Sequence, residues 1–158
     1  MNRSPLERVE RYVQQYEPSL VPLLFPEPMK TSEEAATALG VEIGQIAKSI
    51  LFRVNEEYAL FVAAGDVRIH AKQVKAAFNG VKAKMASPEE VETVTGFQVG
   101  AVCPFALQQE VPIFIDASLQ RFSLVYTAAG IAESLLPVSF EQLLQMTNGH
   151  VIDAASAE

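Results

Sequence analysis

Lys48 is the first side chain in this 158-residue chain that stands where it could do chemistry. It lies in Gly44-Gln45-Ile46-Ala47-Lys48-Ser49-Ile50-Leu51-Phe52-Arg53-Val54, a stretch that reads as a strand. Period two puts Lys48 on the apolar face with Ile50, Phe52 and Val54. An ammonium drawn into an apolar layer loses its proton, snorkels to a rim, or meets an anion or carbonyl that compensates for lost water. Lys48 therefore ends at a rim or points into a pocket that takes a polar ligand.

Asn55-Glu56-Glu57 breaks the pattern, and Tyr58-Ala59-Leu60-Phe61-Val62-Ala63-Ala64 is a second apolar run, so the two runs predict a hairpin. With those three residues as the loop, Val54 faces Tyr58, Phe52 faces Leu60, and Lys48 faces Ala64 beside Gly65 and Asp66. Only small side chains then oppose the lysine, which leaves room for a ligand. Asp66 is the alternative, as a salt-bridge partner.

The second chemically suggestive stretch is Phe97-Gln98-Val99-Gly100-Ala101-Val102-Cys103-Pro104-Phe105. It is apolar but punctuated by glycine and proline, so it is not a regular central strand over its whole length. Such a loop is a covered connection or a pocket wall, and backbone N–H groups beside Gly100 are possible anion or oxyanion donors. Cys103, the single cysteine, admits a rival chemistry in which it is a nucleophile and His70 its base. Nothing in the sequence orients that pair, and a lone cysteine among apolar neighbours is more often an inert core residue. His70 and His150 are far apart in sequence and no cysteine–histidine cluster exists, so no metal and no cofactor are expected.

Composition bounds the rest. The chain is 49% hydrophobic and 20% charged, as in one soluble globular domain over residues 1–158 with a substantial core. One cysteine excludes an internal disulfide, and Met1 to Arg8 carries charge without an apolar core, so the cytoplasm is the expected location. The longest uncharged run, Thr93 to Gln109, is broken by glycines, a proline and glutamines and would not span a bilayer. Net charge is −7, yet Arg68, Lys72, Lys75, Lys82 and Lys84 fall between Val67 and Pro88, where no acidic residue stands. A local basic patch on an acidic body suits phosphate contact at one place, with Arg68, Lys72 and Lys75 as the candidates. A solvated helix face with a lysine-bearing edge strand accounts for the same residues.

The elements that must position these residues follow from capping and periodicity. Ser4-Pro5-Leu6-Glu7 opens a helix to about Glu17, and residues 18–25 form an extended lead-in. Thr31 and Glu34 open a second helix that stops at Gly40 and delivers the chain into the Lys48 strand. After the hairpin, Gly65-Asp66 turns the chain into a helix from about His70 to Phe78, and Val81 to Met85 is a short strand. Ser87-Pro88-Glu89-Glu90 opens a helix closed by Gly96. Residues 112–116 and 122–127 are strands, Ala128-Ala129-Gly130 is a tight turn, Ser139 caps a last helix closed by Asn148-Gly149, and Val151-Ile152 adds a final short strand. Helices alternating with strands make the class α/β or α+β.

The Gly44 to Leu51 stretch, the Gly65-Asp66 turn, Thr95 to Phe105, the Pro112-Ile113-Phe114-Ile115-Asp116 strand and Ala129-Gly130 together resemble the YbaK/ProX family, in order and from about Thr31 to the C-terminus. These are free-standing relatives of the editing domain inserted in bacterial prolyl-tRNA synthetases. The resemblance implies a compact α/β domain with a mixed, strongly curved sheet surrounded by helices. It implies metal-independent hydrolysis of the ester between a wrongly attached amino acid and the terminal adenosine of a tRNA. The partners it implies are the aminoacylated acceptor end of tRNA and a synthetase, with no membrane. The family's pocket lysine falls on Lys48, its Gly-x-x-x-Pro motif on Gly100 and Pro104, and its late pocket-bordering glycine on Gly130. In that scheme Lys48 with the Gly100 and Ala101 amides is catalytic, while Ser49, Gly65, Asp66, Val102, Cys103, Pro104, Ala129 and Gly130 border the substrate.

Ser49 stands where some alanine-editing members carry asparagine, Cys103 stands where serine is familiar, and the aspartate of cysteine-editing members is missing after Gly130. Alanine, cysteine, serine and threonine, on tRNA-Pro among other carriers, are the expected small amino acids. A non-catalytic tRNA- or synthetase-binding module is the alternative.

Overall fold

The capping chemistry written in the sequence sets where the helices begin. The computed structural model describes residues 4–69, 71–153 and 155–157. Ser4 accepts a hydrogen bond from the Glu7 N–H and opens α1 (Pro5–Gln14), which ends about a turn earlier than its periodicity predicts. Thr31 does the same for α2 (Ser32–Leu39), closed by Gly40 at φ 70°. α3 is Ala71–Ala77; its predicted first residue, His70, lies outside the described residues. Reciprocal capping boxes open α4 (Pro88–Thr95) and α5 (Phe140–Thr147).

The strands are β1 (Leu23–Leu24), β2 (Ile46–Val54), β3 (Glu57–Ala64), β4 (Val67–Ile69), β5 (Ala83–Met85), β6 (Ile113–Asp116), β7 (Val125–Thr127), β8 (Ser134–Val138), β9 (His150–Ile152) and β10 (Ala155–Ala157). The main sheet runs β1-β8-β7-β2-β3-β6-β9 and is mixed, curved and flanked by helices, the α/β architecture expected. β4 and β10 pair separately.

One feature of the sheet shapes everything else. β3 pairs with β2 along its length, from Ala47↔Ala64 to Val54↔Glu57. On the opposite edge, β7 takes only Ile46 and Ala47, and β5 takes only Phe52 to Val54. The sheet forks there, and the middle of that edge has no strand beside it.

Both faces of the β2–β3 hairpin are covered, which is why Tyr58 to Ala64 is a continuous apolar run. Ala47, Leu51, Leu60 and Val62 meet Val9 and Val13 of α1, Val94 of α4 and Leu143 of α5. On the other face Phe52, Val54, Ala59, Phe61 and Ala63 meet Ile69 and Val74. Phe61 stacks on Phe114 with ring centroids 4.9 Å apart and meets Phe52 edge-on at 5.4 Å.

The predicted hairpin register is off by one residue. The loop is Asn55-Glu56, with Asn55 at φ 63°, so Glu57 joins the ladder and Lys48 faces Ala63 instead of Ala64. Asparagine tolerates the left-handed conformation, which lets the turn close in two residues. β4, β8 and β10 have no counterpart in the sequence reading. β4 and β10 are three residues each, and Pro137 interrupts the strand signal of β8. The strand expected from Phe122 begins only at Val125, after a 3₁₀ turn over Ala117–Arg121.

Glu90 pins α4 to the hairpin. Its carboxylate accepts from the Ser87 N–H at 2.9 Å and from the Tyr58 hydroxyl at 2.6 Å, and it pairs with Arg53 at 3.1 Å. The Ser87 bond first, then the Tyr58 bond, pulls its pKa from 4.5 to about 2. A carboxylate with a depressed folded-state pKa contributes stability that is whole above its unfolded value and fades as pH falls toward the folded one. Melting temperature is therefore expected to fall between pH 4.5 and about 2 more steeply in the native protein than in Glu90→Gln. Parallel curves for the two proteins across that window would show that Glu90 carries no proton linkage.

Candidate active site

Lys48 rises from the middle of β2, partly buried, and its Nζ donates to the carbonyl of Val67, the first residue of β4. That carbonyl is the compensation an ammonium needs in an apolar layer. The β3–β4 turn that carries it is tightly seated. A Cβ on Gly65 would lie 2.6 Å from the Ile43 carbonyl and 2.8 Å from Ser32 Cβ, so only glycine lets the turn approach the start of α2. Asp66, next in the turn, accepts two hydrogen bonds from Arg121 at 2.6 and 3.0 Å. Those bonds above all, and Lys48's charge as a lesser cause, hold its carboxyl below the usual carboxylate range against the opposing effect of burial.

A cavity of about 140 Å³ opens at the fork in the sheet. Lys48 and Ser49 form one side, Gly100 and Val102 another, with Thr31, Ser32, Ala128 and Ser134 closing the rest. Ser49 Oγ is buried and has no hydrogen-bond partner among the described residues. Gly100 sits at φ 91°, where a side chain would be strained.

The glycine–proline stretch divides. Gly100 and Val102 line the Lys48 cavity. The Ala101 N–H donates to the Gln98 carbonyl at 2.9 Å, so that amide is committed to its own turn and Gly100 is the donor candidate left there. Cys103 is fully buried, its thiol set against the Phe105 carbonyl and pushed up to about 12 by burial. Pro104 turns away into a separate cavity of about 700 Å³ between α1 and the end of α5. Arg8 of α1 holds the loop from behind: it donates to the Thr95 and Ala106 carbonyls at 3.0 and 3.2 Å and lies 4.6 Å from the Phe97 ring centre.

Ala129 and Gly130 form the support behind the wall and do not line the cavity. The Ala129 N–H donates to Ser134 Oγ, and Gly130, at φ 95°, would place a Cβ 2.7 Å from the Pro5 carbonyl. Arg68 is exposed on β4, next to the residue that holds Lys48, and Lys72 and Lys75 are exposed on α3. None of the three lines the cavity. His70, the proposed base for Cys103, lies outside the described residues. Thr31, Ser32 and Ser134 line the cavity with no sequence signal for that role: the first two carry a helix-start signal that hides any other, and Ser134 sits in β8, whose strand pattern Pro137 interrupts. Among the described residues, no group of three or more His, Cys, Asp or Glu side chains is placed to hold a metal, and no helix is long and apolar enough to cross a membrane.

Known proteins resemble this chain over most of its length. The family described as "Aminoacyl-tRNA editing domain" matches residues 26–146. YwhH, an uncharacterized protein of Bacillus subtilis (strain 168), is 40% identical over 118 residues, 74% of each chain. The Multifunctional Ser/Thr-tRNA deacylase ProXp-y of Escherichia coli (strain K12) is 25% identical over 126 residues, 77% of this chain and 75% of that one. A crystal structure of a provisionally assigned trans-editing enzyme for prolyl tRNA synthetase superposes with a TM-score of 0.90 at 28% identity, over 99% of this chain and 100% of that one.

Cys103 is placed for packing and not for attack. In the native protein at neutral pH its thiol is expected to resist an aromatic disulfide reagent and to react stoichiometrically only on unfolding in guanidinium. Rapid modification of the folded protein would return Cys103 to the list of nucleophiles.

Proposed function

The chain belongs to the aminoacyl-tRNA editing domain family, and we propose that the ester it hydrolyses joins a small, wrongly attached amino acid to the terminal adenosine of a tRNA. Its general activity is trans-editing aminoacyl-tRNA deacylation. The observation that carries the finer reading is that Lys48 and the Gly100 turn, 52 positions apart in sequence, line one small cavity. At about 140 Å³ the cavity suits alanine, cysteine, serine or threonine better than a bulky side chain. The named target of the related deacylase, seryl- and threonyl-tRNA, falls in that range, and the structural relative directs attention to tRNA-Pro as the carrier.

An aminoacyl ester is already activated, so positioning, hydrogen bonds to the developing oxyanion and one admitted water are sufficient. Water attacks the carbonyl carbon, the bond from that carbon to the ribose oxygen breaks, and the ribose oxygen leaves with a proton. Lys48, anchored by Val67, holds the terminal nucleotide or the ester carbonyl by charge-assisted hydrogen bonds, and the Gly100 N–H faces the oxyanion. A neighbouring ribose hydroxyl of the substrate relays the water's proton, so the protein needs no base of its own. Arg68, Lys72 and Lys75 contact tRNA phosphates outside the cavity.

The test is a deacylation panel of tRNA-Pro carrying Ala, Cys, Ser, Thr or Pro. The native protein is expected to release at least one of the small amino acids, with kcat/KM about 10- to 100-fold lower in Lys48→Ala, the usual worth of a charged hydrogen bond. Binding without release, indifferent to Lys48→Ala, would make the protein a tRNA-binding module. tRNA affinity is expected to fall with added salt and with joint replacement of Arg68, Lys72 and Lys75 by glutamine; insensitivity to both would remove them from the interface.

A further inference from the structure

The fork in the sheet exposes more than a cavity. Along β2, successive residues aim their backbone N–H and C=O groups at alternate edges. The Leu51 carbonyl accepts from the Ala86 N–H, on the side away from β3. Ser49, two residues before, therefore aims its own N–H and C=O at that same edge. There the β7 ladder stops at Ala47 and the β5 ladder starts at Phe52, so neither strand reaches Ser49. Among the described residues no other backbone group takes its place. Native folds rarely leave a strand's main chain and a buried hydroxyl of one residue unsatisfied together, and Ser49 lines the cavity.

One strand residue presents a donor and an acceptor separated by N–Cα–C. An aminoacyl ester presents the complementary pair at the same spacing, an α-ammonium donor and a carbonyl acceptor. Two such units can exchange both hydrogen bonds as an antiparallel residue pair does. We infer that the main chain of Ser49 pairs with the aminoacyl group of the substrate as a one-residue strand: its C=O accepts from the α-ammonium and its N–H donates to the ester carbonyl. The N–H then joins Gly100 in stabilising the oxyanion, and the C=O makes a free α-amine a condition of cleavage. The inference rests on the deacylase reading and adds to it what part of the substrate is recognised.

The experiment uses the full chain and three esters of one tRNA: the amino acid released fastest in the panel, its N-acetyl form, and its analogue lacking the α-amine. Each rate is divided by that ester's spontaneous hydrolysis, since the amine itself activates the ester. The two altered esters are expected to lose about 10- to 100-fold in normalised kcat/KM, the worth of one charge-assisted hydrogen bond. In the protein, stop-codon suppression with the α-hydroxy analogue of serine replaces the Ser49 N–H by an ester oxygen. That change is expected to lower kcat by about 10²- to 10³-fold, as loss of one oxyanion donor does, with KM moved far less. If the ester-bearing protein does not fold, the substrate series decides. Release that ignores the α-amine overturns this inference alone, as does a folded ester-bearing protein of undiminished kcat. Failure to release any unmodified amino acid overturns the deacylase reading and this inference with it.

Discussion

A strand inside a sheet presents main-chain hydrogen-bonding groups along both edges, and the strand pairing of β2 is continuous on only one. Its pairing with β3 is continuous, while β7 and β5 share the other edge and leave its middle open. A main-chain gap of this kind inside a sheet is costly unless something polar enters it. Lys48, Ser49 and Gly100 all meet at that gap. The site is thus a consequence of how the sheet divides, and the side chains around it elaborate an opening the backbone creates.

The charged groups near the opening are held in sequence. Arg121 fixes Asp66, Asp66 belongs to the turn that precedes β4, and the first carbonyl of β4 holds the Lys48 ammonium. Each partner is only partly buried, so the direct energetic worth of the Arg121–Asp66 pair is small, about 0–1 kcal/mol for pairs of this exposure. Its effect is geometric. It limits where the turn, and with it the lysine, can lie.

The opposite wall depends on the N-terminal helix. Arg8 ties down the backbone on both sides of the glycine–proline loop, and Gly130 allows α1 to approach the turn after β7. Residues 4–25, which the family match does not include, therefore support the wall of the cavity. The buried thiol of Cys103 belongs to this support, because a group fully removed from water stays protonated and does not act as a nucleophile.

Local chemistry was sufficient to read the helix starts, since Ser4, Thr31, Ser87 and Ser139 each satisfy N–H groups within one turn of themselves. It was also sufficient for Lys48, whose charge conflicts with the apolar face around it wherever the strand is placed. The hairpin register escaped, because a two-residue and a three-residue loop differ only in the backbone conformation of Asn55. The division of the Gly100 to Pro104 motif escaped too, since the commitment of the Ala101 amide to Gln98 and the burial of Cys103 are set by how the loop packs on α1 and α4. The open edge of β2 was invisible for a deeper reason. Which strands lie beside it, and where each stops, depends on β5 and β7, whose positions are fixed by contacts 30 to 80 residues away in the chain and by no pattern within β2 itself.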